Sequence, residues 1–211
     1  MKSIIYIILL LPLLAYTQKL ETKEVIRVSD SILKSVVGEN LFNHFDISEG
    51  SYYKYKKKST HNTYGKFLSK KNLRKNVIEI WVLYHFEHEK LEGARSGLWI
   101  KLNENLKLIE PLAINFIPTF LQNNSESNFI NNSKAEEIAR KSFKENGFEI
   151  SKPKLTFDEK SSKYLYYSIN KVTKTKNENG QDAGETEIIG IDAITGEVVS
   201  LQKGYYGLII R

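Results

Sequence analysis

Cysteine is absent from the 211 residues of the chain. Disulfide bridges, thiolate metal ligands and cysteine nucleophiles are therefore excluded, as is a lipid anchor on an N-terminal cysteine. A protein of this kind is held together by side-chain packing and hydrogen bonds alone.

Sequence motifs of the common enzyme classes are also missing. The chain contains no H-E-x-x-H, no G-x-S-x-G, no phosphate-binding glycine loop and no dinucleotide-binding fingerprint. The nearest approach to a metal site is the segment from His85 to His88, but two residues three apart on a strand point to opposite faces. We therefore predict no catalytic residues, no metal ligands and no cofactor.

The composition predicts a globular protein with anionic partners. Hydrophobic residues make up 41% and charged residues 27% of the chain, which is typical of a folded protein of one or two domains. The formal net charge is +6 and the sequence pI is about 9.2, a basic excess that favours anionic partners without naming one.

The first residues predict export. Lys2 precedes an apolar run at residues 4–14, and the small residues Ala15 and Thr17 stand before Gln18. This pattern is typical of a secretory signal peptide over residues 1–17, and the run is shorter than an ordinary membrane span. We expect a bacterial protein in the periplasm or outside the cell, with no transmembrane segment after cleavage; an uncleaved anchor is the alternative.

Residues 133–201 predict one helix followed by three strands. Ser133 and Glu136 have the spacing of a capping box, and Gly147 is placed to end the helix. Alternation predicts a strand at residues 163–172 and a hairpin after it. Asp192, Thr195 and Gly196 suit the turn of that hairpin, because Asp192 can accept forward backbone bonds and glycine tolerates positive φ.

This order, with its D-x-x-T-G-E-V-V ending, resembles the PepSY domain over about a third of the chain. The residues that carry the likeness are Ala135, Glu136, Ile138, Ala139, Tyr166, Tyr167, Asp192, Thr195, Gly196, Glu197 and Val198. The resemblance implies a PepSY- or cystatin-like unit with a helix packed on an antiparallel sheet. PepSY units occur in the propeptides of thermolysin-type metallopeptidases, where they help to fold and restrain the enzyme, and in exported proteins of mostly unknown role.

The N-terminal half predicts the same order of elements. A helix over residues 25–38 ends at Gly38, a strand follows at 51–57, and the strongest strand pattern in the chain covers 76–88. A hairpin closes at residues 98–109. The fold class predicted is thus α+β, with two α-β-β-β units at residues 18–110 and 133–211, joined by an apolar connector and Asn/Ser-rich hinge at 111–132. Two distinct units that merely share this order are the alternative to duplication.

A basic and aromatic region supplies the candidate binding residues. No acidic residue occurs from Ser51 to Asn76, and lysines alternate there with tyrosines. Nucleic-acid binders combine cations and rings in this way, but the predicted export argues against that partner. A solvated hairpin and a surface for an anionic envelope partner are both consistent with the pattern. The candidate binding residues are Tyr52, Lys54, Tyr55, Lys56, Lys57, Lys58, Trp81 and Trp99.

Two functions follow as expectations. The first is an exported, non-catalytic binding module that modulates a protease or another protein in trans, through a sheet edge at residues 51–57 or 106–109. The second is an envelope protein that binds a glycan or small apolar ligand in a sheet concavity lined by Trp81, Tyr84 and Trp99.

Overall fold

A computed structural model describes residues 20–59, 62–69 and 72–207. The predicted signal peptide at residues 1–17 lies outside the described residues. The helices are α1 (Thr22–Phe42), α2 (Thr119–Gln122) and α3 (Asn132–Ser142), with a short 3-10 helix at Glu89–Leu91. None of the helices in this part of the chain combines the length and the apolar character needed to cross a membrane.

The strands form two antiparallel sheets, so the predicted α+β class is confirmed at that level. The first sheet contains β1 (Phe45–Ile47), β2 (Tyr52–Lys56), β3 (Thr63–Phe67), β4 (Val77–Glu87) and β5 (Arg95–Asn103). The second sheet contains β6 (Glu149–Ile150), β7 (Lys154–Asp158), β8 (Lys163–Lys171), β9 (Thr175–Lys176), β10 (Asp182–Asp192) and β11 (Val198–Tyr206).

Strand β4 is the centre of the first sheet, as its sequence pattern predicts. It pairs with β5 along one side and with β1 and β2 along the other, and β3 lies outside β2. Successive side chains of a strand point to opposite faces. The residues of β4 that are buried beneath α1 are Ile80, Val82, Tyr84 and Phe86.

Helix α1 covers that buried face. Val25, Ser29 and Leu33 recur every four residues and are fully buried. The Tyr84 hydroxyl donates a 2.6 Å hydrogen bond to Asp30 and ties the helix to the sheet. At Gly38 the predicted end of the helix is a kink, with φ of +83°, a conformation that glycine adopts without steric cost, and the helix resumes as far as Phe42.

Helix α3 lies over β8 and β10 of the second sheet, and Ala135 and Ala139 are fully buried there. Its N-cap differs from the predicted capping box, because the Asn131 side chain accepts the N–H of Lys134 at 2.8 Å. Its end differs too. The helix stops at Ser142, and Gly147 is needed elsewhere, since a Cβ at that position would lie 1.7 Å from Oδ1 of Asn170.

The hairpin between β10 and β11 is built around Asp192. Its Oδ1 accepts the N–H groups of Ile194 and Thr195 at 2.9 and 3.0 Å, and Lys163 donates to Oδ2 at 3.0 Å. Gly196 closes the turn with φ of +74°. Burial works against the charged form of Asp192, but the bonds from Thr195, Lys163 and Ile194 together outweigh it and lower the pKa of this carboxyl.

A buried carboxylate fastens the chain after α3 to the second sheet. Glu187 is 3% exposed, and its Oε2 accepts the N–H groups of Lys144 and Glu145, each at 3.1 Å. The Asn170 side chain donates to the Glu145 carbonyl at 2.9 Å and to Glu187 at 3.4 Å. The end of α3 is thereby held by hydrogen bonds to two neighbouring strands.

The connector at residues 111–132 packs against both sheets. The Phe116 ring lies 5.6 Å from Phe86 of the first sheet and 6.5 Å from Phe157 of the second. The Tyr164 hydroxyl donates to the Phe116 carbonyl at 2.8 Å, and the Tyr166 hydroxyl donates to the Ile130 carbonyl at 2.9 Å. These contacts join the two sheets through one continuous hydrophobic core.

Both sheets share a local design beside their long strands. β1 and β2 form a broken strand along β4, and β6 and β7 form one along β8. At each break a serine Oγ accepts an N–H of the long strand, Ser51 from Leu83 at 3.0 Å and Ser151 from Ile169 at 2.9 Å. Duplication of one unit stays a prediction.

Removing the Glu187 carboxylate is expected to destabilise the fold. Glu187→Ala leaves two partly buried amides without their acceptor, so we expect a loss of about 1–3 kcal/mol in the free energy of unfolding. Glu187→Gln keeps an acceptor oxygen and is expected to lose less. Urea unfolding measures both, with Glu185→Ala, an exposed position on the same strand, as the control. Equal losses for Glu187→Ala and Glu185→Ala would contradict the proposed fastening.

The Asp192 turn makes stability depend on pH. The folded pKa of Asp192 is lower than the unfolded value, so its carboxylate stabilises the fold above about pH 4, and this contribution is lost as pH falls through the folded pKa. We expect Asp192→Asn to lose about 1–2 kcal/mol at pH 7. The difference from wild type should shrink towards pH 3 in urea titrations, and a difference that does not change with pH would rule out the charge as its source.

Candidate binding site

The open face of the first sheet, opposite α1, carries three aromatic rings in mutual contact. Tyr52 on β2 stacks on Trp81 of β4 with centroids 5.5 Å apart. Trp99 of β5 meets both rings edge-on, at 5.8 Å from each. Each ring comes from a different strand, so pairing of the three strands assembles the cluster. We call this surface the aromatic face.

Two lysines cover the central ring of the aromatic face. The ammonium of Lys101 lies 4.2 Å and that of Lys54 4.7 Å from the Trp81 centroid, within cation–π range. Glu79 accepts from Lys54 at 2.9 Å and from the Trp81 indole at 3.0 Å. The bond from Lys54, and to a smaller extent the bond from Trp81, lower the pKa of the Glu79 carboxyl and keep it ionised. The face thus presents half-buried rings below two ammonium groups, each of which is paired with a carboxylate, Lys54 with Glu79 and Lys101 with Glu110.

The predicted binding residues do not all meet. Tyr52, Lys54, Trp81 and Trp99 converge on the aromatic face. Tyr55 directly follows Lys54 on β2, so alternation turns it to the other side of the sheet, where it lies 5.9 Å from Tyr53 and below Arg74. The three remaining residues are exposed at the end of β2 and in the turn after it: Lys56, Lys57 and Lys58. The predicted structural turn of Asp192, Thr195 and Gly196 belongs to the second sheet.

Tyr84 was wrongly assigned to the concavity of Trp81 and Trp99. Its ring points to the helix side of β4 and is 1% exposed. Burial is the main cause that raises the pKa of the Tyr84 hydroxyl, and the hydrogen bond to Asp30 raises this pKa further. Because residues 81 and 84 are three apart on one strand, alternation places them on opposite faces.

The sheet edges also differ from the predicted ones. β2 pairs with β3 and β4, so residues 51–57 contain an internal strand. Residues 106–109 form only a single bridge, between Leu102 and Leu108. The edge on that side of the sheet is β5 itself.

Some backbone N–H and C=O groups of β5 point away from the sheet, and the pairing of β4 shows which ones. Leu83 donates its N–H to Ser51 and accepts the N–H of Ser48, so both of its backbone groups point towards β1 and β2. In an antiparallel pair, the residue opposite such a position turns its own backbone groups outward. Trp99 lies opposite Leu83, and Gly97 and Arg95 follow in the same alternation. Their N–H and C=O groups therefore line the outer edge of β5.

Residues 107–109 pair with the first part of this edge, and the chain after them does not. Ile109 donates to the Lys101 carbonyl at 2.9 Å, and Asn103 donates to the Lys107 carbonyl at 2.9 Å. Continuing that register would place Pro111 opposite Trp99. Proline has no N–H to donate, so the ladder stops there.

Beyond that point a groove of about 450 Å³ runs along β5. This volume is within the range of ligand pockets, about 300–1,000 Å³. β5 forms one wall, and Pro111, Ala113 and Phe157 lie among the residues of the other. Its charges are largely paired, since Arg95 contacts Glu87 at 2.6 Å and Lys101 contacts Glu110 at 2.7 Å. We call this the edge groove; Trp99 and Lys101 belong to both the groove and the aromatic face.

Sequence reasoning missed the walls of the groove. Phe157 belongs to β7, a strand that the sequence analysis did not predict, and the connector was considered only as a core segment. The one available signal was Pro111, two residues after the strand predicted at residues 106–109.

The histidine that lies next to His88 is His44, not His85. His85 is exposed on β4, whereas His88 is buried, so these two imidazoles do not converge. The His88 ring instead stacks on His44, with centroids 4.1 Å apart.

Comparison with protein-family models, with curated proteins and with solved structures finds no match to this chain. The PepSY resemblance therefore stays a prediction.

Hydrogen exchange tests the open edge. We expect the amides of Gly97 and Trp99 to exchange at least about 100-fold faster than those of Leu98 and Ile100, which face β4. Exchange monitored by NMR at single residues measures this alternation. Equal protection of all four amides would show that the edge of β5 is already paired.

Proposed function

We propose that this protein is a non-catalytic binding module that holds an extended segment of a partner protein along β5. The observation that carries the proposal is the row of outward N–H and C=O groups at Arg95, Gly97 and Trp99 beside the edge groove. A segment that adds to a sheet edge gains affinity from main-chain hydrogen bonds, whatever its sequence, and gains specificity from its side chains.

The surroundings of the edge groove support a preference for certain side chains. In an added strand, alternate side chains point to opposite faces. One set would meet Trp99 and Lys101 at the border of the aromatic face, and aromatic residues are enriched at the centres of protein interfaces.

For the partner class, we propose a peptidase or another exported protein, bound in trans in the same compartment. The support comes from the PepSY resemblance and from the predicted signal peptide. An exposed strand edge is a physical means by which such a module holds an extended loop of the partner.

The second candidate is binding of a glycan or small apolar ligand on the aromatic face. Contact between the rings of Tyr52, Trp81 and Trp99 favours it, because such rings offer flat apolar surface. A substitution of Trp81 distinguishes the two functions, because Trp81 lies on β4 beside β5 and provides none of the backbone groups of the β5 edge. Trp81→Ala should abolish glycan binding and leave segment binding largely intact.

A matched pair of substitutions at Gly97 tests the strand-addition proposal. Gly97→Pro removes an outward N–H while keeping an edge position that tolerates proline. Gly97→Ala keeps the N–H, and its Cβ would meet Leu83 at an ordinary 3.5 Å. Extended peptides are selected on the wild-type protein from a random library, and their Kd values are measured by fluorescence anisotropy.

We expect Gly97→Ala to bind the selected peptides about as well as wild type. Gly97→Pro should bind them about fivefold or more weakly, since one lost backbone bond amounts to about 1 kcal/mol. In the wild-type protein, peptide binding should slow exchange at Gly97 and Trp99, a readout that does not depend on any variant. Equal binding by both variants, protection elsewhere, or no selected peptide would contradict the proposal.

A further inference from the structure

Two histidines distant in the sequence meet where β1 and β4 lie side by side. His44 precedes β1 and His88 follows β4, and the Glu87 N–H donates to the His44 carbonyl at 3.1 Å. Their rings are nearly parallel, inclined by 29°. His88 is 8% exposed, while His44 is half-buried and more accessible. The backbone pairing thus holds both imidazoles at one end of the first sheet.

Glu89 adds a carboxylate to this pair. Its Oε2 lies 3.8 Å from Nδ1 of His88, and one possible ligand atom from each of the three residues lies within 4.8 Å of the others. Two ligand atoms at about 2.0–2.2 Å from a tetrahedral zinc ion lie about 3.4 Å apart. Separations of up to 4.8 Å therefore have to close by about an ångström or more when an ion binds. The Glu89 side chain is 76% exposed and has the freedom to move towards the histidines.

The hydrogen bond that His88 accepts shows which of its two ring nitrogens carries the lone pair. Nδ1 of His88 accepts the N–H of Lys90 at 3.1 Å, so the hydrogen of the neutral ring is on Nε2. Nδ1 therefore carries the lone pair of the ring, and a metal ion binds there only by displacing the Lys90 N–H. That N–H bond caps the short 3-10 helix at Glu89–Leu91, so binding of the ion breaks the cap.

A pocket of about 490 Å³ opens beside the three residues. Its wall includes Glu39, Asn40, Gln122 and Asn124, which provide further oxygen atoms. The Lys90 ammonium is directed to the Ser125 carbonyl at 3.1 Å. The space leaves room for water as a further ligand.

We propose that His44, His88 and Glu89 form a binding site for a divalent transition-metal ion such as Zn²⁺. Imidazole and carboxylate ligands suit Zn²⁺, and two histidines with one glutamate form a known three-ligand set that leaves a position for water. This site is separate from the edge groove in its residues and does not depend on the binding function proposed above. It also differs from the sequence prediction of no metal site, which considered His88 only together with His85.

Titration of the untagged protein with Zn²⁺ and with Co²⁺ tests the site. Calorimetry measures the Zn²⁺ affinity, and visible absorption reports the Co²⁺ coordination. We expect one ion per chain. Glu89→Gln, which changes an exposed side chain, and His44→Asn should each weaken binding about tenfold or more. His85→Asn, at an exposed histidine on β4 just before the site, is the control and should bind like wild type.

Backbone NMR supplies a readout that a merely structural histidine pair would not show. Zn²⁺ should shift the amide resonance of Lys90 strongly, because its hydrogen bond to Nδ1 is lost. Circular dichroism establishes that each variant is folded. The proposal is overturned if wild type binds no ion, if Glu89→Gln and His44→Asn bind like the control, or if the Lys90 amide does not respond.

Discussion

The direction of the peptide groups along β4 is the constraint on which the first sheet depends. Leu83 uses both of its backbone groups on the side of β1 and β2, through Ser48 and Ser51. Trp99, opposite on β5, is left with its groups pointing outward. An added strand restores the pairing that these groups lack. The open edge of β5 is thus a consequence of the hydrogen bonds that the neighbouring strand β4 makes on its other side.

The connector decides whether that edge is covered or open. Phe116 is anchored between Phe86 and Phe157, and Tyr164 holds its carbonyl. Because these contacts are buried, the segment after Pro111 is held in place beside β5 without pairing to it. The hydrophobic core between the two sheets therefore shapes the groove at its border.

Alternation along the strands separates two environments within a few ångströms. On the helix side of β4 the side chains are apolar and fully buried, and the Tyr84 hydroxyl has Asp30 as its partner. On the other side, the ammonium groups of Lys54 and Lys101 lie over the Trp81 ring and are paired with Glu79 and Glu110. A large apolar ring is thereby kept on an open surface without forming a continuous apolar patch.

Consecutive residues determined the local structure of this protein. The strand at residues 77–87, the helix that contains Val25 and Leu33 and the hairpin at Asp192 all follow from neighbours in the chain, and the pattern alone was enough to predict them. Gly38 was predicted to end the helix, whereas the helix only kinks there and continues to Phe42. The capping box at Ser133 was wrong because a better cap, Asn131, stands two residues earlier and local patterns do not rank competing caps.

Only the tertiary structure decided which strand is an edge and which side chains meet. β2 is internal because β3, a strand within a stretch predicted as a solvated hairpin loop or frayed strand ends, pairs with it. Trp99 reaches Tyr52 and Trp81 through pairing of three strands, and His44 reaches His88 through β1 and β4. Strand pairing depends on the packing free energy of the whole core and on the entropy of closing long loops. Neither quantity can be read from a single stretch of sequence.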